Sequence, residues 1–470
     1  MEPDITAGER ALERAGAMGA DEAEAFIEQG AGLTIKVFDQ KVEQFSYSET
    51  VGLGIRVFAG KRTGRSYTSD LTESGISQAV TTAVESARIS PEDEHRGLPD
   101  VDLFPEGALS GGRLGDDLGM WSDDVSTVHA SEKIEFALDM ERKARAYDER
   151  IRSVDTTLYS DEYGDVFLLN TRGFRAGFRS SVCYGYVVPM AGEGEDSQTG
   201  FGFTAGRSFA SLDPAEAARE ASSMAVDLLG GKQVESARVP VLFDNLTCAE
   251  LVAMLGSALS AEQVVKGKSF LAGKLLREVA ASSLELIDDG LMDGGYGTSP
   301  FDGEGVATSR KSLIEGGTLV GYLHNCYTAS RMDARTTGNA GRGSFHSPIG
   351  VTPTNLLMKK GKASHDELRS GMGRGFEVLE LQGTHAGMNI VTGEISVGAR
   401  GFWVERGRRV HAVREVTVAG NLAELLSNIA AVGSNIRFTP LLGGIGAPSM
   451  LVEGLVLGGR STEVTARGRS

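Results

Sequence analysis

Cysteine is scarce in this chain. Cys183, Cys248 and Cys326 are an odd set with no paired spacing, which excludes a disulfide framework and fits reduced thiols. Long apolar runs are missing too. The most hydrophobic late stretch, "LLGGIGAPSMLVEGLVLGG", is interrupted by Pro448, Glu453 and glycines, so no membrane-spanning helix is expected. The opening "MEPDITAGER" has no basic segment followed by an apolar one, so no export signal is expected and the reading is cytoplasmic. Basic residues are outnumbered, 47 lysines and arginines against 64 acids, for a formal charge of −17. Such a field repels nucleic acid and anionic membranes. Histidine is thin as well: His95, His129, His324, His346, His365, His385 and His411 include no pair at H-x-x-H, H-x-x-x-H or H-x-x-x-x-H spacing, which excludes a local zinc helix.

What is plentiful is glycine, 62 of 470 residues, beside 41% hydrophobic residues. Together they describe a globular, strand-rich chain with many tight turns. The patterning predicts an α+β fold: two smaller β-rich units, each closed by helices, then a large, mostly antiparallel β domain with a few helices. A helix from Asp4 to Ala17 opens the first unit, residues 1–90. Its strands end in "GRSYTS", followed by a helix carrying Ile76, Val80, Ala83, Val84 and Ala87 on one face. Residues 91–122, rich in acids and poor in periodicity, form a linker or long surface loop. The second unit, 123–232, opens with a helix from Ser131 to Tyr147. It repeats the hexapeptide as "GRSFAS" from Gly206, then a helix with Asp213 as N-cap, Pro214 at N1 and Gly230 as C-cap. The third unit, 236–470, starts with the buried strand "RVPVLF". Hairpins turn at Gly316-Gly317 and Arg406-Gly407. A late helix starts at Asn421 with Leu422, Leu425, Leu426 and Ile429 inward and Gly433 beyond its end.

Few stretches offer chemistry. His324 and Cys326, placed on the second strand of the Gly316-Gly317 hairpin, share a strand face and are half of a metal site at most. "IDDG" and "FDGEG" read as acidic turns, with too few ligands for a calcium loop. Ser344 near His346 lacks an orienting acid by spacing, and no G-x-S-x-G elbow or phosphate-binding glycine loop occurs. The helix at 244–262 follows a strand and is amphipathic through Leu251, Val252, Leu255, Ala258 and Leu259. Thr247 and Glu250 fit a capping box at its start.

Four segments then stand together: "VGLGIRVFAGKRTG" with "TSDL", "FDGEGVATSRKSLIEGGTLVGYLHNCYTASRM" followed by "TTGNAGR", "GTHAGMNIVTGEISVGARGFWVERGR", and "VREVTVAGNLAELLSNIAAVGSN". In this order the chain resembles the TldD/PmbA family, metallopeptidase subunits also called modulators of DNA gyrase, nearly end to end. In that family TldD-like members carry H-E-x-x-x-H on the helix after the third-unit strand, where two histidines hold zinc and the glutamate activates water. This chain has no histidine between His129 and His324. In the register that places Glu250 on the motif glutamate, Ala249 and Met254 stand at the histidine positions. "GTHAGMN" is likewise the pattern of the PmbA/TldE branch. The resemblance therefore implies a subunit that holds no metal and is not catalytic alone. It would pair with a TldD-like chain that supplies zinc, or self-associate as a homodimer, and the complex would cleave unfolded or small peptides. The residues it implies along the peptide cleft are Gly338, Asn339, Arg342, Thr384, His385 and Asn389, with Arg342 holding a carboxylate. Two alternatives stay open. One is a stand-alone metal-dependent hydrolase built from His324, Cys326 and His385; the other is a non-proteolytic protein-binding module of the gyrase-modulator type.

Overall fold

Small residues let the first helix lie close to its sheet. The computed structural model describes residues 5–459; Asp4 and residues 460–470 of the third unit lie outside them. Helix α1 (Ile5–Ala17) buries Ala7, Ala11 and Ala15 against β1 (Glu22–Phe38), the first of three antiparallel strands with β2 (Lys41–Ala59) and β3 (Arg62–Thr68). Helix α2 (Glu73–Ile89), capped by Thr72, buries Ile76, Val80, Ala83, Val84 and Ala87, the face that its periodicity gives. The second unit repeats this plan. The short α3 (Asp124–Thr127) and α4 (Ala130–Ala146) precede β4 (Ile151–Asn170), β5 (Arg175–Ala191), β6 (Gln198–Thr199) and β7 (Gly202–Gly206), and α5 (Pro214–Asp227) closes it.

The two units are not separate sheets. Strand β1 pairs along its length with β4, so all seven strands form one antiparallel sheet in the order β3-β2-β1-β4-β5-β6, with β7 also beside β5. At the centre of that seam Gly30 faces Gly164. A Cβ on either would lie 2.7 or 2.5 Å from a carbonyl of the other strand, so only glycine lets the strands close there. Glycine also seats the helices. A Cβ at Gly64 would stand 1.9 Å from the Ala83 carbonyl, and one at Gly200 the same distance from that of Ala221. The glycine that does Gly64's work in the second unit is thus Gly200, not the Gly206 of the repeated hexapeptide. Asp213 and Pro214 begin α5 as expected, but its C-cap is Leu228, with Gly230 two residues on. The 91–122 segment is no free linker. It lies along the edge of β5, where Arg175 N donates to Ala108 O at 2.7 Å, Leu114 N to Gly177 O at 2.8 Å and Ser181 N to Met120 O at 2.9 Å.

The third unit surrounds one buried helix. Strand β8 (Ala237–Phe243) leads into α6 (Asn245–Ala258) and belongs to a six-stranded sheet. Pairing of Arg408–Asn421 with Met450–Gly458 closes five of those strands into a barrel. A second six-stranded sheet contains β9 (Leu286–Asp289), β10 (Arg310–Glu315) and β11 (Thr318–Leu319). The hairpins turn at Gly316-Gly317, both at positive φ, and at Arg406-Gly407. Three local expectations need correction. The "IDDG" acids lie on β9, because Asp288 and Asp289 find Lys311 and Arg310 opposite them on β10. Strand β11 ends at Leu319, so His324 and Cys326 are not on a hairpin strand; Asn325 caps the helix Cys326–Arg331. The late helix stops at Ser427, and Ile429 opens a strand that pairs with Val452.

Buried charge joins the large sheet to the third unit. Glu24 on β1 is fully buried and accepts from Arg56 of β2 at 2.7 Å and from Arg342 of the third unit. Arg56 also donates to Glu304 at 3.0 Å, and the other Glu304 oxygen accepts from Cys326 N at 2.8 Å. Burial alone would raise the Glu24 carboxyl, but the two arginines outweigh it and hold it below its ordinary range. Removing one member of such a network strands the others in low dielectric. Glu24→Gln is expected to cost about 3–5 kcal/mol, read as a lower denaturant midpoint in equilibrium unfolding.

Candidate functional site

Helix α6 starts one turn earlier than its sequence indicates. Asp244 is the N-cap: its Oδ1 accepts from Thr247 N and from the Thr247 hydroxyl, both at 2.8 Å. Thr247 is therefore the third helical residue rather than the cap, because a carboxylate preceding the first helical residue reaches the free amides first. Glu250 is released from the capping role. The helix buries Cys248, Ala249, Leu251, Val252, Met254, Leu255 and Ala258, which leaves one stripe, Leu246, Glu250, Ala253 and Ser257, outside the core.

Leu246, Thr247 and Glu250 face a cavity of about 510 Å³ between the second and third units. Phe201, Phe203 and Met224 form its wall from the second unit, with Leu379, Leu441 and Leu442 opposite. The cations at and beside its wall are already answered: Arg400 of the lining pairs with Glu380, and Arg437, 4.1 Å from the Phe203 ring centroid, pairs with Glu220 at 2.5 Å. Asp244 and Glu250, in contrast, have no salt-bridge partner among the described residues. Burial pushes the Glu250 carboxyl up to about 7, against a bond from the Thr384 side chain, with Asp244 and Glu380 raising it further. Burial likewise pushes Asp244 up to about 6. An apolar cleft with two carboxyls poised near neutrality suits a chain that brings hydrogen-bond donors or a cation on an apolar body.

Zinc does not fit the residues present. Both sulfur side chains on α6, Cys248 and Met254, lie in the core; the Cys248 thiol is pushed far up by burial, whereas thiolate is the form that binds metal. With Glu250 toward the cavity, Ala249 and Met254 face the core. The Glu250 register therefore sets no histidine place at the cavity, and no histidine occurs from 130 to 323 in any register. His324, Cys326 and His385 are not brought together. His324 is buried with Nδ1 unpartnered. The Cys326 thiol is pushed up by burial and then by Glu304, and His385 is exposed on the short helix Thr384–Gly387. Among the described residues no three His, Cys, Asp or Glu side chains form a metal-holding group.

The six residues that the sequence places along a cleft divide. Thr384 reaches Glu250 at the cavity. His385 and Asn389 are exposed beyond it, and Asn389 Oδ1 is occupied by Val391 N and Thr392 N. Gly338, Asn339 and Arg342 line a different, smaller cavity of about 230 Å³. Asn339 is consumed by Asp288, Lys311 and the Thr352 carbonyl, and Arg342 is paired with Glu24, so its charge is already answered. Sequence reasoning missed Asp244, Glu250 and the Phe203 wall. The available signal was Asp244 itself, a better cap than Thr247 and one that frees Glu250.

Comparison with known proteins agrees with this architecture. Residues 236–459 match the PmbA/TldA metallopeptidase C-terminal domain, residues 123–229 the central domain and residues 23–87 domain 1. Metalloprotease PmbA of Escherichia coli is 28% identical over 438 residues, 93% of each chain. A metalloprotease PmbA homolog of Haemophilus influenzae is 30% identical, over 91% of this chain and 90% of that one. A solved Thermotoga maritima structure described as a modulator of a DNA gyrase superposes with a TM-score of 0.86 at 27% identity, over 96% of this chain and 99% of that one. TldE from Thermococcus kodakarensis shares the fold, with a TM-score of 0.86 at 22% identity over 96% and 100%. The chain belongs to the PmbA/TldD metallopeptidase family.

Proposed function

We propose that this chain is the PmbA/TldE-type subunit of a cytoplasmic peptidase complex, pairing with a TldD-like chain that holds the zinc and acting on unfolded or small peptides. The observation that carries the reading is helix α6. It has the length and burial of a helix that frames a site, yet its two sulfur side chains, Cys248 and Met254, are both locked in the core. The cavity beside it adds support, since its apolar walls and unpaired carboxyls fit an extended peptide entering between the second and third units. No observation favours the stand-alone hydrolase or the purely protein-binding reading.

Two outcomes follow. The purified chain alone is expected to hold no stoichiometric zinc by elemental analysis and to leave unfolded peptides uncut, with cleavage appearing when a chain bearing H-E-x-x-x-H is added in equal amount. Tight zinc in the isolated protein would sink the reading. The second outcome concerns Glu250, whose folded carboxyl titrates near 7, above its ordinary value of 4.5. A raised carboxyl pKa means that the folded state keeps a proton the unfolded chain has lost, so stability falls as pH rises from about 4.5 to about 7. Glu250→Gln is expected to melt above the native chain at pH 8 and to converge with it at pH 4, in thermal melts followed by circular dichroism.

A further inference from the structure

We propose that the cavity between the β2–β3 ribbon and the 342–349 loop is an oxyanion-binding site, taking a carboxylate or phosphate group carried on a partly apolar body. It encloses about 560 Å³ and shares no lining residue with the Glu250 cavity, so it stands apart from the peptidase reading. Arg56, Arg65, Arg96 and Arg342 line it with His346, and none of its lining residues is Asp or Glu. That is a local reversal in a chain of formal charge −17. The carboxylates that answer these arginines stand behind the wall: Glu24 and Glu304 for Arg56, Glu24 for Arg342, and Asp93 for Arg96 at 3.5 Å.

Two independent features point to an absent acceptor. Arg56 and Arg65 are direct cross-strand partners on β2 and β3, so their side chains share a face, and like charges in that position repel. Arg65 is exposed and, of the four arginines lining this cavity, is the one with no ion-pair partner among the described residues. The second feature is a set of orphaned polar atoms. Thr63 Oγ1, Arg56 Nε and Arg342 Nε are buried with no hydrogen-bond partner, all on residues that line this cavity. The Arg342 side chain is only 6% exposed. Donors left open in this way mark an incompletely bonded wall, and an oxyanion seated on Arg65 beside it relieves the Arg56–Arg65 repulsion. Tyr67 and Phe345 meet edge to face at 6.0 Å beside it, giving apolar surface for the rest of a ligand. The space exceeds what one phosphate group fills.

Calorimetric titration of the full chain tests this with three probes: inorganic phosphate, a short peptide ending in a free carboxylate, and the same peptide as its C-terminal amide. The expected result is saturable one-to-one binding of phosphate or of the free-carboxylate peptide, with the amide weaker by about tenfold or more. Arg65→Glu lowers that affinity at least about tenfold with an unchanged melting temperature, because Arg65 is exposed. Arg65→Ala weakens it in the same direction and serves if the charge reversal disturbs β3. Phosphate alone assigns a phosphorylated ligand; the peptide alone assigns a chain terminus. Failure of both anions to saturate the native chain, or undiminished binding in both variants, overturns the proposal.

Discussion

Burying charge is costly unless every charge finds its opposite, and that constraint fixes how the two halves of this molecule meet. Glu24 contributes one carboxylate from the middle of the large sheet, and two arginines from different parts of the chain converge on it. Once Arg56 is held by Glu24 it also takes Glu304, and Glu304 in turn accepts the first amide of the helix Cys326–Arg331. The position of "FDGEG" therefore depends on a residue almost three hundred positions upstream. A parallel arrangement holds the second unit, where Arg437 bonds Glu220 and the Phe203 carbonyl, and Arg400 bonds Gln198. These contacts keep the second and third units at the spacing that leaves the Glu250 cavity open.

The same constraint shapes the two cavities differently. Beside α6 the cations are satisfied and two carboxyls are left, so burial drives those carboxyls toward neutrality. Beside the β2–β3 ribbon the carboxylates lie behind the wall and arginine is left at the surface of the cavity. Most α6 side chains are spent on packing, and Glu250 is left to face an open space.

Much of the fold was legible from local pattern. The face of α2, the Asp213-Pro214 start of α5, the "RVPVLF" strand and both hairpin turns are written in spacing, capping residues and glycines, which act within a few residues. The candidate site was legible only in part. Arg342 was read as a free cation because the sequence shows no Glu24 next to it. Glu250 was read as a cap because Thr247 has the right spacing, while the competing Asp244 is told apart only by where the helix begins. "IDDG" looked like a turn until β10 supplied Lys311 and Arg310.

By itself, then, the sequence determined the elements, the family pattern and the missing histidines, since each is a property of residue order and short-range geometry. Tertiary structure alone decided that two units share one sheet through Gly30 and Gly164 and which arginines are spent in pairs. It also decided that Glu250 faces a cleft. Those are matters of long-range register and of electrostatic partners brought together by folding, and no local pattern encodes the distance between residues hundreds of positions apart.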